Sequence, residues 1–243
     1  MNLKQQAAHK ALEFVQNGMY LGLGSGSTSA IFVDLLGEKL RAGLLENIVA
    51  VPTSSITAAR AQAAGIPLST LAEISRLRQS LLPLDLTVDG ADEVDPQLNM
   101  IKGLGRALLR EKIIEIHSRL FIVIVDESKL VARLGSKCSL PVEILPFEAE
   151  AHIGWLNTLG CRAEMWHEED GSPVVTDNGN YLALCQFGSG IADPYHLARL
   201  LADRAGIIEH GLFLDMASVV FVSTQAGVKI LDHDLASQAG GMG

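Results

Sequence analysis

Four short apolar runs set the limits on this fold: Met19–Leu23, Ile48–Val51, Leu84–Val88 and Leu120–Val125. Each stops at a turn-forming or polar group, in turn Gly24-Ser25-Gly26, Pro52, Asp89-Gly90 and Asp126-Glu127-Ser128-Lys129. Apolar runs of this length, bounded by breakers, read as strands buried on both faces. Stretches with helical spacing lie between them. Leu3, Ala7, Ala11, Phe14 and Val15 predict a helix over residues 3–17, ended by Asn17-Gly18. Further helices are predicted over 27–36, from a Thr53 or Ser54 cap to about 65, and from the glycine-flanked Lys102 to about 118. Pro67–Leu71 reads as a short strand. Strands alternating with helices imply an α/β fold: a mostly parallel open sheet with helices on both faces, Rossmann-like.

The pattern changes near Pro141. Val142–Leu145, Cys161–Trp166, Val174–Thr176 and Tyr181–Phe187 read as strands, and Phe147–Leu159 as a helix. Asp177-Asn178-Gly179-Asn180 predicts a hairpin with a type I′ turn. Asp193-Pro194 is a helix start, with proline at the first helical position. This block predicts a smaller α+β, lid-like subdomain over 138–210, with residues 1–137 and 211–243 forming the α/β catalytic domain. Val219–Val222 would return to the main sheet, and 237–243 has the composition of a tail.

Composition narrows the function. Hydrophobic residues make up 48% of the chain and aromatics 5%, which suits an aliphatic core. A formal charge of −9 argues against a nucleic-acid partner, since neutralising phosphates needs a basic field. No run reaches membrane-spanning length, and the N-terminus lacks a signal-peptide core, so the expectation is a cytoplasmic protein with no membrane partner. Cys138, Cys161 and Cys185 are widely spaced with no C-x-x-C, pointing to inert thiols in a reducing compartment.

Two stretches carry chemistry. Gly22-Leu-Gly-Ser-Gly-Ser-Thr28 is a strand-to-helix turn that is neither a Walker loop nor a dinucleotide fingerprint. It can bind an anion at the helix N-terminus, or it can be a tight turn with a serine cap; spacing leaves the two level. The second stretch crowds Asp89, Asp92, Glu93 and Asp95 just past a strand end and follows them with Lys102. It can hold Mg²⁺, do acid–base work on a sugar, or be a solvated loop. Lys102 weighs against a metal, because an ammonium competes for the same carboxylates. In the next helix, Leu109, Ile113, Ile116 and Leu120 form an apolar stripe, so periodicity alone makes Glu111 an exposed helix residue. Lys129, after a strand end, and Lys4, on the first helix, read from pattern as surface lysines.

Taken together the motifs are more specific. Gly24-Ser-Gly-Ser-Thr28, Asp89-Gly-Ala-Asp-Glu93, Lys102-Gly-Leu-Gly105, Arg110-Glu-Lys112, Asp126-Glu-Ser-Lys129, Pro141-Val-Glu-Ile and Val175-Thr-Asp-Asn-Gly-Asn180 occur in this order. From about Lys4 to Lys229 the chain resembles ribose-5-phosphate isomerase of the A type. The resemblance implies interconversion of ribose 5-phosphate and ribulose 5-phosphate, with neither metal nor cofactor and a small sugar phosphate as the only ligand. It implies Glu111 as the base, with Lys102, Asp89 and Asp92 also catalytic. Ser25, Gly26, Ser27, Thr28, Asp89, Gly90, Ala91, Asp92, Lys102, Gly103, Leu104 and Gly105 would contact substrate, and Lys129 and Lys4 would hold the phosphate. It also makes a homodimer or homotetramer the expected assembly. Two departures stand out: the family usually has Thr at position 25, and an unbroken glycine run where Leu104 and Arg106 stand.

The chemistry suits these residue types. One carboxylate on one face can move a proton between C1 and C2 through a cis-enediolate, with its pKa expected to be raised by partial burial. Lys102 would stabilise the enediolate charge. Competing readings are a sugar-phosphate-sensing effector domain, an acyl-CoA transferase with a glutamate nucleophile, and a sugar-phosphate deaminase or lactonase.

Overall fold

The computed structural model describes residues 2–232. The chain begins with α1 (Leu3–Leu12), β1 (Tyr20–Leu23), α2 (Ser27–Arg41), β2 (Val49–Pro52), α3 (Ser55–Ala63) and α4 (Leu71–Arg78). Next come β3 (Leu86–Asp89), β4 (Glu93–Val94), β5 (Met100–Ile101), α5 (Leu108–Glu115) and β6 (Phe121–Asp126). Then follow β7 (Leu140–Ile144), α6 (Ala149–Leu156), β8 (Arg162–Met165), β9 (Tyr181–Gln186) and α7 (Pro194–Ala202). The described chain closes with β10 (Ile207–His210), β11 (Leu212–Phe213), β12 (Val219–Thr224) and β13 (Gly227–Asp232).

Contacts divide the chain into two compact units. The first comprises 2–90, 110–129 and 216–232, and the second 91–109 and 130–215. The second unit thus takes in 91–109, which the sequence-based limits of 138–210 leave to the larger domain. The reason is strand pairing: β4 and β5 join β11 in a three-stranded sheet. The segment 237–243, expected to be a tail, lies outside the described residues.

The first unit is built on a six-stranded sheet in the order β13-β12-β6-β3-β1-β2. Only the β12–β13 pair in this sheet is antiparallel. Alternation along the strands sends Leu21, Leu23, Leu86, Val88, Ile122 and Ile124 to one face, against Ala7 and Ala11 of α1 and Phe32 and Leu36 of α2. Val51 and Leu84 face the other way, against Ile74 of α4 and Ile114 of α5. Helices therefore cover both faces, as the alternation of elements predicts. Phe32 and Leu36 are fully buried, and side chains of this size contribute about 1.5–3 kcal/mol each.

Several limits differ from the pattern. α1 stops at Leu12, because Phe14 and Val15 donate to carbonyls three residues back and tighten the last turn. Pro67–Leu71 is no strand; Leu68 makes one isolated bridge to Ala50, and Thr70 and Glu73 then form a reciprocal capping box that starts α4.

The second unit has a four-stranded antiparallel sheet, β10-β7-β9-β8, whose core includes Val142, Ile144, Leu156, Ala183 and Leu201. Asp193 caps α7 as expected, accepting from His196 N. The turn at 177–180 is not type I′: Gly179 has positive φ but Asn178 does not. Gly179 N donates to Thr176 O and Thr176 N to Asn180 O, a three-residue turn with a bulge. Val174–Thr176 contributes a single bridge, Val175 to Tyr181, instead of a strand. The reason is Glu143: buried, its Oε1 accepts from Thr176 Oγ1 at 2.9 Å, Asn178 Nδ2 at 3.1 Å and Asn180 Nδ2 at 2.8 Å. No helix among the described residues is long and apolar enough to cross a membrane.

Candidate active site

Sheet order points to one edge of the first unit. β1 leads to β2 on one side, and the chain then crosses back to place β3 on the other, so the carboxyl ends of β1 and β3 flank a topological switch point. Ligands of open α/β sheets gather at such a point. The two sequence motifs, the 24–28 turn and Asp89-Gly90, both leave the sheet here.

The turn is shaped by its neighbours. A β-carbon on Gly24 would lie 2.1 Å from the Asp89 carboxyl group, so only glycine fits. Gly26, at φ +101°, caps α2 with no side-chain hydrogen bond. The serine cap is thus not what forms, and the N-terminus of this 15-residue helix is left to backbone N–H groups. Gly26 and Ser27 are exposed and Thr28 half-buried. Lys4 Nζ donates to Ser27 Oγ at 2.7 Å, so the lysine of α1 brings positive charge to the start of α2. Ser25 behaves differently: its hydroxyl sits 2.8 Å from both Thr53 Oγ1 and Ser54 Oγ and 3.1 Å from Thr57 Oγ1. That hydroxyl is occupied inward, tying the turn to the start of α3.

Asp89 is fully buried. Its Oδ1 accepts from Ser29 Oγ at 2.7 Å and from Gly90 N at 2.6 Å. Lys129 ends a one-turn 3-10 helix after β6, the strand beside β3, and is half-buried. Glu111 corrects the periodicity reading: it is 3% exposed, whereas Ile113 and Ile116 are 41% and 55% exposed. α5 turns inward the face carrying Leu108, Glu111, Ile114 and Glu115. A stripe drawn from aliphatic residues alone misses a buried face that carries two glutamates.

In the second unit Asp92 Oδ2 accepts from Leu104 N at 3.0 Å. Lys102 is 2% exposed and its Nζ lies 5.3 Å from the centroid of the Phe213 ring. Gly103 has φ +109° with Arg106 N closing a turn onto its carbonyl; Ala91 and Leu104 are half-buried and Gly105 exposed. The other two acids of the run have separate partners. Glu93 accepts from Gly135 N at 2.5 Å, Lys137 N at 2.6 Å and Cys138 N at 2.8 Å. Asp95 accepts from Gln97 N and Asn99 N. Burial holds the Asp95 carboxyl above the usual aspartate range, against those hydrogen bonds, with Asp215 adding to the rise. N–H and O–H donors within the protein therefore answer the crowding of carboxylates.

Sequence reasoning names Thr53 or Ser54 only as a helix cap, a place Ser54 takes at the start of α3. It misses Ser29 and Thr57, and with them the hydroxyls that fix Asp89 and the 24–28 turn. The Ser54-x-x-Thr57 spacing is a capping signal, with Thr57 N donating to Ser54 Oγ. Nothing in the pattern marks Ser29.

Comparison with known proteins identifies the family. Residues 49–227 match the sequence model of the ribose 5-phosphate isomerase A (phosphoriboisomerase A) family. The chain is 48% identical over 233 residues to probable ribose-5-phosphate isomerase 2 of Arabidopsis thaliana, covering 94% of this chain and 85% of that one. It is 46% identical over 237 residues to ribose-5-phosphate isomerase A of Nitrobacter hamburgensis, covering 95% and 97%. A D-ribose-5-phosphate isomerase solved in complex with phospho-erythronic acid superposes with a TM-score of 0.88 at 44% identity, covering 96% of this chain and all (100%) of that one. The chain belongs to the ribose 5-phosphate isomerase A family.

Proposed function

We propose that this chain interconverts D-ribose 5-phosphate and D-ribulose 5-phosphate through a cis-enediolate, a step of the non-oxidative pentose phosphate pathway. Family membership over nearly the whole chain carries the reading. Glu111 takes the C2 proton of the open-chain aldose and returns it to C1. The electron pair forms the C1–C2 double bond and places negative charge on O1, where the Lys102 ammonium is the counter-charge; the O2 hydroxyl proton then passes to O1, and as C1 is reprotonated C2 becomes the carbonyl. Asp89 and Asp92 exchange protons with the sugar hydroxyls and assist ring opening. The phosphate is taken by the N–H groups of 25–28, the hydroxyls of Ser27 and Thr28, and the ammonium groups of Lys129 and Lys4. Lys4 already bonds Ser27, which supports this assignment. Gly90, Ala91, Gly103, Leu104 and Gly105 contact the sugar. Remote phosphate binding fixes the reacting carbons.

Glu111→Gln is the decisive test. It should lower kcat by about a thousandfold while KM stays within about fivefold. A variant that keeps near-parent turnover removes Glu111 as the base. The proposed chemistry uses no metal or cofactor, so chelators should leave the rate unchanged, and a chelator-sensitive enzyme would restore the metal reading. Phospho-erythronic acid, the ligand of the related structure, pairs a carboxylate with a phosphate as the enediolate pairs an oxyanion with one, and should inhibit competitively. The partners are sugar phosphates, with neither nucleic acid nor membrane, and the protein is cytoplasmic. The assembly is a homodimer or homotetramer, a reading that exposed Ile116 and Phe147 support and that light scattering tests.

A further inference from the structure

Arg106 stands where a side chain is least expected. Its φ of +66° lies in the left-handed region, where an L side chain costs about 1–2 kcal/mol. Its guanidinium nonetheless has a defined place. Nη1 and Nη2 donate to Glu168 Oε1 at 2.5 Å and Oε2 at 3.0 Å, a bidentate pair. The same group lies 5.1 Å from the centroid of the Trp166 ring. Trp166 is itself fixed to the second unit's sheet: its N donates to Leu182 O and its carbonyl accepts from Val174 N. The Glu168 backbone closes the polar loop onto Ser172 and Gly171.

The segment so clipped is the one that carries Lys102. Lys102 N is held by Gly211 O, Leu104 N by Asp92 Oδ2, and Arg106 N by Gly103 O. Those bonds fix the backbone up to the turn; the Arg106 side chain fixes its far end. We infer that Arg106, clamped by Glu168 and Trp166, is a positioning residue for the isomerisation, holding the 102–105 loop so that Lys102 and Asp92 keep their reactive geometry. The inference rests on the role assigned to Lys102 above. A planar fork suits this work, because it locks direction as well as distance and stacks on the indole face. Both partners of the ion pair are 40% exposed, so the clip is screened by salt and can be removed without opening a core.

The test compares the full-length parent with Arg106→Ala, Arg106→Gly, Arg106→Lys, Glu168→Gln and the Arg106→Ala/Glu168→Gln double variant. Arg106→Ala should lower kcat by about tenfold, the fold-change for losing an exposed bidentate pair and a ring contact together. Arg106→Gly, which removes the backbone strain, should lose as much, and Arg106→Lys should not restore it. Glu168→Gln should add little in the Arg106→Ala background. Inhibition by inorganic phosphate, assigned to the other unit, should stay within about twofold, a selectivity that general loosening of the fold would not give. High salt should slow the parent more than Arg106→Ala. A kcat for Arg106→Ala within twofold of the parent, or phosphate affinity falling in step with kcat, overturns the inference. Lys102→Ala separates the two levels. If it turns over normally, the assignment of Lys102 fails; if it is inactive while Arg106→Ala is normal, only the clip fails.

Discussion

Two serines two residues apart on α2, Ser27 and Ser29, should behave in opposite ways. Ser29 is 1% exposed; its hydroxyl donates to Asp89 Oδ1 at 2.7 Å and accepts from Gly90 N at 3.1 Å. In Ser29→Ala the buried Asp89 loses a hydrogen bond to a charged acceptor, worth about 1.5–3 kcal/mol. Gly90 N keeps its bond to Asp89 Oδ1, so a second loss is not added. Alanine recovers about 0.5 kcal/mol of helix propensity. The balance is a destabilisation of about 1–2.5 kcal/mol, or roughly 2–10 °C in Tm for a chain near this size. Turnover should fall as well, because Asp89 loses the partner that fixes its rotamer. Ser27, exposed on the first turn, gives the contrast: Ser27→Ala should change stability by less than about 0.5 kcal/mol and raise KM through the phosphate. Urea denaturation and thermal melts followed by circular dichroism, with initial rates on ribose 5-phosphate, measure both. A Ser29→Ala protein as stable as Ser27→Ala, with parent turnover, refutes the reasoning.

Glu143→Ala removes the acceptor shared by Thr176, Asn178 and Asn180; a loss of about 3 kcal/mol is expected, with hydrogen exchange rising first at 176–180, and unchanged exchange there would count against a hub role. Asp95 gives a pH effect. Its folded pKa lies above the ordinary value of 3.8, so the native state holds the extra proton and stability falls as pH rises from 3.8 through the raised value. Asp95→Asn keeps an oxygen for Gln97 N and Asn99 N, and its Tm between about pH 4 and pH 7 should lack the fall attributable to this group; an identical profile in parent and variant would show that Asp95 does not titrate in that window.

The fold was readable where local pattern and tertiary role agree. Each of the four apolar runs became a parallel strand of one sheet, shifted at its ends by one or two residues. The helices were placed less well. The pattern does not reveal α4 although Thr70 and Glu73 carry a capping box, because Pro67 suggests a strand start instead. The candidate site is legible only as a conjunction of motifs. Periodicity assigns Glu111 to solvent because it assumes that buried faces are apolar, and α5 buries Glu111 and Glu115 instead. Ser29 could not be found from sequence at all, since its partner lies 60 residues away. The type I′ expectation failed for a related reason: the Asn178 side chain is engaged by Glu143, 35 residues earlier.

The position of β12 in the sheet has a consequence for the order in which the chain can fold. β12 pairs with β6, and the bond from Phe121 N to Ser218 Oγ spans 97 residues. The residues between them are mostly those of the second unit. At about 5–20 residues per second, a ribosome takes roughly 5–20 s to deliver the partner after β6 has emerged. During that interval Phe121–Val125, five apolar residues in a row, present an open strand edge, which is a template for pairing with another chain. The same topology that sets Asp89 and Lys129 on neighbouring strand ends thus leaves the nascent protein most exposed to aggregation just before its sheet can close.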